Sequence, residues 1–314
     1  GESQSGAVRI VVTQPSSQAG NDATLWLDAN SLNSGEAVAS WDDRSGNQRS
    51  ALQPVAEHRP LGVSAGRHLG VEFSTPSAHL FFQDEAIPAG DHTVLAIWTS
   101  PPTSSHTQTL LSSNRGFLRL EPTTQAISYP GAPHYQAHGV AVHGYQAAPG
   151  ELATGIFRQA DTTLQHIFGL SYDGETSEPE DLEPVLPTLG LQRLALPVEE
   201  PLDGAFSGTL HELLVFPTAL PEQKLRDVHD YLQSKWRGHV LWDFSTELRP
   251  IKVTTSTSER NIVRGGHGND DLTGGAVETI LSGGPGRDVL RGGTGKDTFV
   301  FGGIDTGDDL IVGF

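Results

Sequence analysis

Four consecutive nine-residue blocks constrain this chain more than any other feature. They read Gly265-Gly-His-Gly-Asn-Asp-Asp-Leu-Thr273, Gly274-Gly-Ala-Val-Glu-Thr-Ile-Leu-Ser282, Gly283-Gly-Pro-Gly-Arg-Asp-Val-Leu-Arg291 and Gly292-Gly-Thr-Gly-Lys-Asp-Thr-Phe-Val300. A Gly/Asp-rich flexible tail would not keep glycine pairs at 265, 274, 283 and 292 in register with Leu272, Leu281, Leu290 and Phe299. The period predicts stacked coils. The apolar eighth residue of each block falls on a short strand and is buried only when coils stack on one another.

Within each block the residue types point to a hard cation. Glycines at the first, second and fourth places, among them Gly266, Gly268, Gly284 and Gly286, permit the φ > 0 conformations that turn carbonyls toward an ion. The sixth-place carboxylates of Asp270, Asp288 and Asp297 add oxygen ligands, so Ca2+ is the expected cofactor. Turns on one side of such a coil lie two repeats apart, which pairs the block at 265 with that at 283, and the block at 274 with that at 292. The first pair is complete. The second has Val277 in place of a glycine and Thr279 in place of a carboxylate, so one strong site and one weak or missing site are expected.

Residues 261–314 resemble the RTX (repeats-in-toxin) family, a parallel β-roll. Asp297-Thr-Phe-Val-Phe301 and Asp305-Thr-Gly-Asp-Asp-Leu-Ile-Val-Gly-Phe314 resemble the segment that caps such arrays, adding Asp308 and Asp309 to the candidate metal ligands. The resemblance implies type I secretion from a Gram-negative bacterium, folding outside the cell on meeting calcium, and an extracellular or cell-surface location. A secretion signal normally follows the cap, so the roll is expected to be truncated before it.

The charge balance fits that route. With 38 acidic against 20 basic residues, a formal charge of −18 makes the metal-free chain self-repelling and nucleic acid an unlikely partner. There is no cysteine, hence no disulfide framework, and no apolar run approaches the length of a membrane span. The chain is expected to act without direct membrane insertion, as a monomeric fragment of a larger adhesin.

Between residues 21 and 239, aromatic and β-branched stretches of strand length alternate with turn signals: Thr24-Leu-Trp-Leu27, Leu69-Gly-Val-Glu-Phe73, His79-Leu-Phe-Phe82, Thr93-Val-Leu-Ala-Ile-Trp98, Gln108-Thr-Leu-Leu111, Gly116-Phe-Leu-Arg-Leu120, Gln165-His-Ile-Phe168 and Leu210-His-Glu-Leu-Leu-Val-Phe216. This pattern predicts an all-β sandwich. One helix is predicted from Pro221 to Trp236, with Leu225, Val228, Leu232 and Trp236 on one stripe. The opening Leu25-Trp-Leu-Asp-Ala29, the turn Trp41-Asp-Asp-Arg-Ser-Gly-Asn47, and the closing Gly208-Thr-Leu-His-Glu-Leu-Leu-Val-Phe216 with its helix resemble the laminin-G-like, concanavalin A-like jelly roll. The expected order is a lead-in strand (1–20), a lectin-like jelly-roll β-sandwich with one C-terminal helix (21–239), a linker with a strand (240–260) and the calcium roll (261–314). Ala7-Val-Arg-Ile-Val-Val-Thr13 and Pro250-Ile-Lys-Val-Thr-Thr255 are expected to pair.

The jelly-roll resemblance implies binding of carbohydrate or protein. Enzyme motifs are weak. Gly62-Val-Ser-Ala-Gly66 has the spacing of a nucleophile elbow, but the chain then enters a strand where the elbow needs a helix. His211-Glu212 begins like a zinc helix, yet Val215 stands where the second histidine belongs. Glu178, Glu180, Asp181 and Glu183 crowd a stretch that Pro179 and Pro184 make a loop. The expectation is therefore no enzyme and no catalytic residue. Tyr129, His134, Tyr135, His138, His143 and Tyr145 form a loop whose rings and imidazoles suit sugar stacking and hydroxyl bonding, against the bland reading of a packed surface loop. Asp42, Asp43 and Asn47 are further candidates for sugar or calcium, though such a turn commonly satisfies its own backbone. Cell-surface glycans of host or other cells are the expected partners, fucosylated epitopes among them, although no residue singles those out. The competing readings are a peptide- or protein-binding domain, a structural spacer, and an RTX hydrolase with Ser64 as nucleophile.

Overall fold

The computed structural model describes residues 20–65, 68–84, 86, 91–99, 108–112, 117–120, 127–128, 152–160, 163–168, 193–195, 205–255, 258–295, 297–301 and 307–313. By internal contacts these fall into two units, one ending at Pro221 and the other running from Glu222 onward.

The first unit is built of antiparallel strands: β1 (Leu25–Asp28), β2 (Ser40–Trp41), β3 (Ala51–Leu52), β4 (Leu61–Ala65), β5 (His68–Glu72), β6 (Leu80–Phe81), β7 (His92–Thr99), β8 (Gln108–Ser112), β9 (Phe117–Leu120), β10 (Ile127–Ser128), β11 (Leu152–Ala160), β12 (Thr163–Phe168), β13 (Arg193–Leu194) and β14 (Thr209–Phe216). One sheet has the order β12-β11-β7-β14-β5-β4, and the other has the order β10-β9-β8-β13-β6-β3-β2. Strand β14 also pairs with β1, so the first and last strands of the unit lie side by side. Leu25, Leu27, Val71, Val94, Ala96, Leu213 and Val215 from the first sheet share one buried cluster with Trp41, Ala51, Leu80, Leu111 and Leu194 from the second. Strands β7 and β14 are buried along nearly their whole length, which is why they read in the sequence as continuous apolar runs.

The second unit opens with a helix, α1 (Glu222–Arg237), on which Leu225, Val228, Leu232 and Trp236 are buried, the stripe that their spacing dictates. Among the described residues, eight short strands follow: β15 (Val240–Asp243), β16 (Lys252–Thr254), β17 (Asn261–Arg264), β18 (Asp271–Thr273), β19 (Thr279–Ser282), β20 (Val289–Arg291), β21 (Asp297–Phe299) and β22 (Leu310–Val312). They wind alternately into two parallel sheets, β15-β17-β19-β21 and β16-β18-β20-β22. Pairing is in register, Leu272 beside Leu290 and Leu281 beside Phe299, so the eighth-place residues stack into the interior with Val263, Trp242 and Val253.

Two expectations of organisation change here. Residues 240–260 are more than a linker, because β15 and β16 are the first rungs of the two roll sheets. The helix groups with the roll and not with the preceding strands. A rung needs only an inward apolar residue, here Trp242 and Val253, whereas the glycine pattern marks only the tight turns. The strand expected to pair with 250–255 lies at 7–13, outside the described residues; β16 pairs with β18.

Candidate functional site

The turns of the roll form two stacks. On one side, residues 265–270, 283–288 and 307–309 lie over one another, and their aspartates make a ladder of main-chain bonds. Asp270 Oδ1 accepts from the Ile251 amide at 2.9 Å, Asp288 Oδ1 from the Asp270 amide at 2.7 Å, and Asp309 Oδ1 from the Asp288 amide at 2.9 Å. The second oxygens differ. Asp270 Oδ2 accepts from the Gly266 amide at 2.8 Å, whereas Asp288 Oδ2 is buried without any hydrogen-bond partner. Burial, together with the nearby carboxylates of Asp270 and Asp309, pushes Asp288 up to about 6.

The glycines make this packing possible. Gly284 has φ +89°, and a Cβ there would sit 2.5 Å from the Gly266 carbonyl oxygen. A Cβ on Gly286 would sit 2.0 Å from that of Gly268. Carbonyl oxygens of one turn therefore pack against the glycines of the next, and the unsatisfied Asp288 Oδ2 lies within its own turn, where a Cβ on Gly283 would sit 2.2 Å from it. Asp308 is exposed, so the capping segment contributes Asp309 to the ladder rather than both residues.

On the opposite side, the turns at 274–278 and 292–295 stack in the same way, but the carboxylate count falls. Asp297 Oδ1 accepts from the Thr279 amide at 2.9 Å, and burial raises its pKa. Thr279 Oγ1 receives the Gly275 amide at 3.3 Å and donates to the Val277 carbonyl at 3.2 Å. A hydroxyl replaces the carboxylate and closes the turn on itself. Among the described residues, no three acidic or histidine side chains converge to hold a metal unaided. Any cation in the first stack would be held by carbonyls and carboxylates together.

The other sequence candidates have different fates. Asp43 is fully committed within its own turn: its carboxylate accepts from the amides of Trp26, Ser45 and Arg49 and from the Ser45 hydroxyl. Asn47 donates to the carbonyls of Ala23 and Thr24, and Asp42 accepts from the Ser40 hydroxyl. Asp43 and Asn47 thus tie the turn to the segment around β1, while the Asp42 bond is local to its own turn. Ser64 lies inside β4 opposite Leu69 of β5, with no helix after it, so it is not a nucleophile elbow. His211 and Glu212 lie on β14. The imidazole is wedged between Thr99 Oγ1 at 2.6 Å and the Leu69 carbonyl at 3.2 Å, and burial lowers its pKa to about 4. Glu212 Oε1 accepts from Trp26 Nε1 at 2.7 Å. Tyr129, His134, Tyr135, His138, His143 and Tyr145 lie outside the described residues, as does the acidic stretch 178–183.

One concave site in the first unit has no counterpart among the sequence candidates. A cleft of about 430 Å³ opens beside β3, β6 and β13, lined by Gln53, Pro54, Val55, His58, His79, Phe81, Phe82, Gln83, Asp84 and Arg193. Leu52 and Arg193 flank Phe81 in register, so these three side chains share the sheet face opposite the core residues Ala51, Leu80 and Leu194. No local signal could have announced it, because Arg193 arrives from more than a hundred residues away.

No family model matches this chain, and no curated protein matches it. Among solved structures, it is similar to Trypanosoma rangeli sialidase in complex with sialic acid, at 12% identity and a TM-score of 0.46, covering 68% of this chain and 33% of the sialidase. It is also similar to domain 4 of a GH43 extracellular arabinanase from Geobacillus stearothermophilus in complex with arabinotriose, at 11% identity and a TM-score of 0.48, covering 66% of this chain and 98% of that domain. A third is an arabinofuranosidase complexed with arabinofuranosyl-alpha-1,2-xylobiose, at 12% identity and a TM-score of 0.42, covering 67% and 58%. The chain thus spans about a third of the length of the sialidase it matches. The expectation that the chain is not an enzyme is withdrawn on this comparison, since these neighbours are glycosidases or a domain of one.

Proposed function

We propose that this chain is the ligand-binding end of an extracellular RTX adhesin. A jelly-roll, concanavalin A-like sandwich holds cell-surface carbohydrate, and a calcium-loaded roll folds and stiffens the adjoining end after type I secretion. One observation carries the reading more than any other: the buried, unpartnered Oδ2 of Asp288, in a turn whose glycines pack closely against the carbonyls of the neighbouring turn. A buried charge without a partner is strongly unfavourable, and a cation removes that penalty while using the carbonyls as well. Calcium, which takes about six to eight oxygen ligands in flexible geometry, suits such a wall. Asp270, Asp288 and Asp309 with the carbonyls of Gly266 and Gly268 would hold it; bound calcium supplies the positive charge that lets three carboxylates stack. The Thr279 side, with Asp297 alone, offers less.

The sandwich reading is supported by two antiparallel sheets around one core, with the first and last strands adjacent. Its ligand is proposed as carbohydrate from the order of the aromatic and turn positions that resemble the lectin fold. The test is a calcium titration of the chelated chain followed by calorimetry and circular dichroism, then a glycan array in calcium and after chelation. Saturable binding with a gain of β signal, and array hits sharing one epitope, are expected. Absence of binding at millimolar calcium refutes the metal half. A blank array with the roll folded refutes the carbohydrate half and turns the reading to peptide recognition or a spacer.

A further inference from the structure

We propose that the cleft beside β3, β6 and β13 is a subsite for one or two neutral sugar residues. This rests on the carbohydrate reading above and gives it a place and a chemistry.

The cleft has a ligand-sized volume, about 430 Å³, within the range of small-molecule sites. Its floor is apolar. Phe81 is half-buried, Val55 is 45% exposed, and Pro54 stands beside them, so a ring and two aliphatic surfaces are offered to the C–H face of a pyranose. Its rim is polar and of both signs. Gln83 and Asp84 follow the end of β6, while Arg193 reaches the same face from β13. A ligand with full negative charge meets Asp84, and one with full positive charge meets Arg193. A polyol satisfies both, because hydroxyls donate to a carboxylate and accept from a guanidinium.

The wall is also built in advance. His79 Nδ1 lies 2.9 Å from the Ser77 carbonyl, which makes that nitrogen the N–H donor, and Nε2 then accepts from Gln53 Nε2 at 3.1 Å. Gln53 is almost completely buried. Its Oε1 receives the Val55 amide at 3.1 Å, and its main-chain carbonyl receives Arg59 Nε at 2.9 Å. Arg59 also donates to the Pro54 carbonyl at 3.0 Å. The His58 and His79 rings lie 5.6 Å apart across this wall. Such bracing lowers the ordering entropy that a ligand must overcome.

The two imidazoles serve as reporters. In calcium, the whole chain is titrated with methyl glycosides of glucose, mannose, galactose and fucose while the ring signals of His58 and His79 are followed by NMR, assigned through His58→Gln and His79→Gln. The same chain and its Phe81→Ala and Asp84→Asn variants are then read on the glycan array. At least one glycoside is expected to shift both imidazoles, and Phe81→Ala is expected to weaken array binding about tenfold, the size of one lost ring contact. Asp84 is exposed, so Asp84→Asn keeps the fold and should weaken the same hits. If the wild-type chain binds glycans while the imidazoles stay still and both variants bind normally, the cleft is overturned and the carbohydrate reading stands. If the wild-type chain binds no glycan, or peptides only, both fall.

Discussion

His211 is the extra residue at a bulge in β14, where the register against β7 shifts between Leu210 and Glu212. Its ring reaches Thr99 and the Leu69 carbonyl only because residue 70 is glycine: a Cβ there would lie 2.8 Å from His211 Nδ1. Burial holds the imidazole neutral, with its pKa lowered from 6.5 to about 4. Between those values the unfolded chain binds a proton that the folded chain does not. Stability therefore falls as pH drops from 6.5 and levels off below about 4, by about 3 kcal/mol in all. Urea midpoints followed by tryptophan fluorescence at several pH values should show this loss, and His211→Gln should remove it. Asp288 behaves oppositely. Its charge is unfavourable where it is buried beside Asp270 and Asp309, so Asp288→Asn is expected to leave the calcium-free roll as stable as before or more so. The same change should weaken calcium binding by about tenfold or more in a calorimetric titration, as expected for loss of a ligand charge. An unchanged affinity would remove Asp288 from the site.

At the scale of elements, legibility followed repetition. The eighth-place apolar residues give the same instruction every nine residues, and the structure obeys it with in-register rungs. The stripe of α1 was legible for the same reason. The rungs β15 and β16 were not, because the segment between them, 244–251, lacks the glycine pattern while Trp242 and Val253 alone give the inward direction. The cleft was invisible because its wall and rim come from three separated segments. Nor does the sequence announce Arg264, whose partners lie on two other elements: Asp230 Oδ2 at 2.5 Å and Asp227 Oδ1 at 3.1 Å on α1, and Asp243 Oδ2 at 3.8 Å on β15. Although burial works against its charge, these carboxylates raise the guanidinium pKa, and they tie helix, first rung and third rung together. Removing it takes the guanidinium from Asp230, whose side chain is 5% exposed. Arg264→Ala is therefore expected to destabilise the roll unit by about 3–5 kcal/mol, read as a lowered melting temperature in calcium, whereas Arg291→Ala, on a side chain 38% exposed, should change it by less than about 1 kcal/mol.

At the scale of the whole molecule, the distribution of charge sets what the proposed calcium would do. Residues 222–314 carry 14 acidic and 11 basic side chains, so nearly all of the formal −18 belongs to the residues before them. General self-repulsion is therefore weak in the roll, and what opposes its folding is local: carboxylates of Asp270, Asp288 and Asp309 bonded in series along one edge. Screening by salt reaches exposed charges far better than buried ones. Sodium chloride at high concentration should then stabilise the first unit and do little for the roll, while calcium should do the reverse. The two units have separate apolar clusters, one around Leu25, Trp41 and Leu213 and the other around Leu272, Leu281 and Leu290. Scanning calorimetry in calcium should accordingly resolve two transitions, the roll's rising by about 2.7 kcal/mol of stability at a hundredfold excess over Kd. Chelation should lower that transition alone. Magnesium, smaller and bound to near-ideal octahedral geometry, should fail to restore it against turns whose oxygens are fixed by glycine stacking. Equal rescue by magnesium or by sodium chloride would mean that simple charge neutralisation is enough, and the proposed calcium site at Asp288 would be overturned.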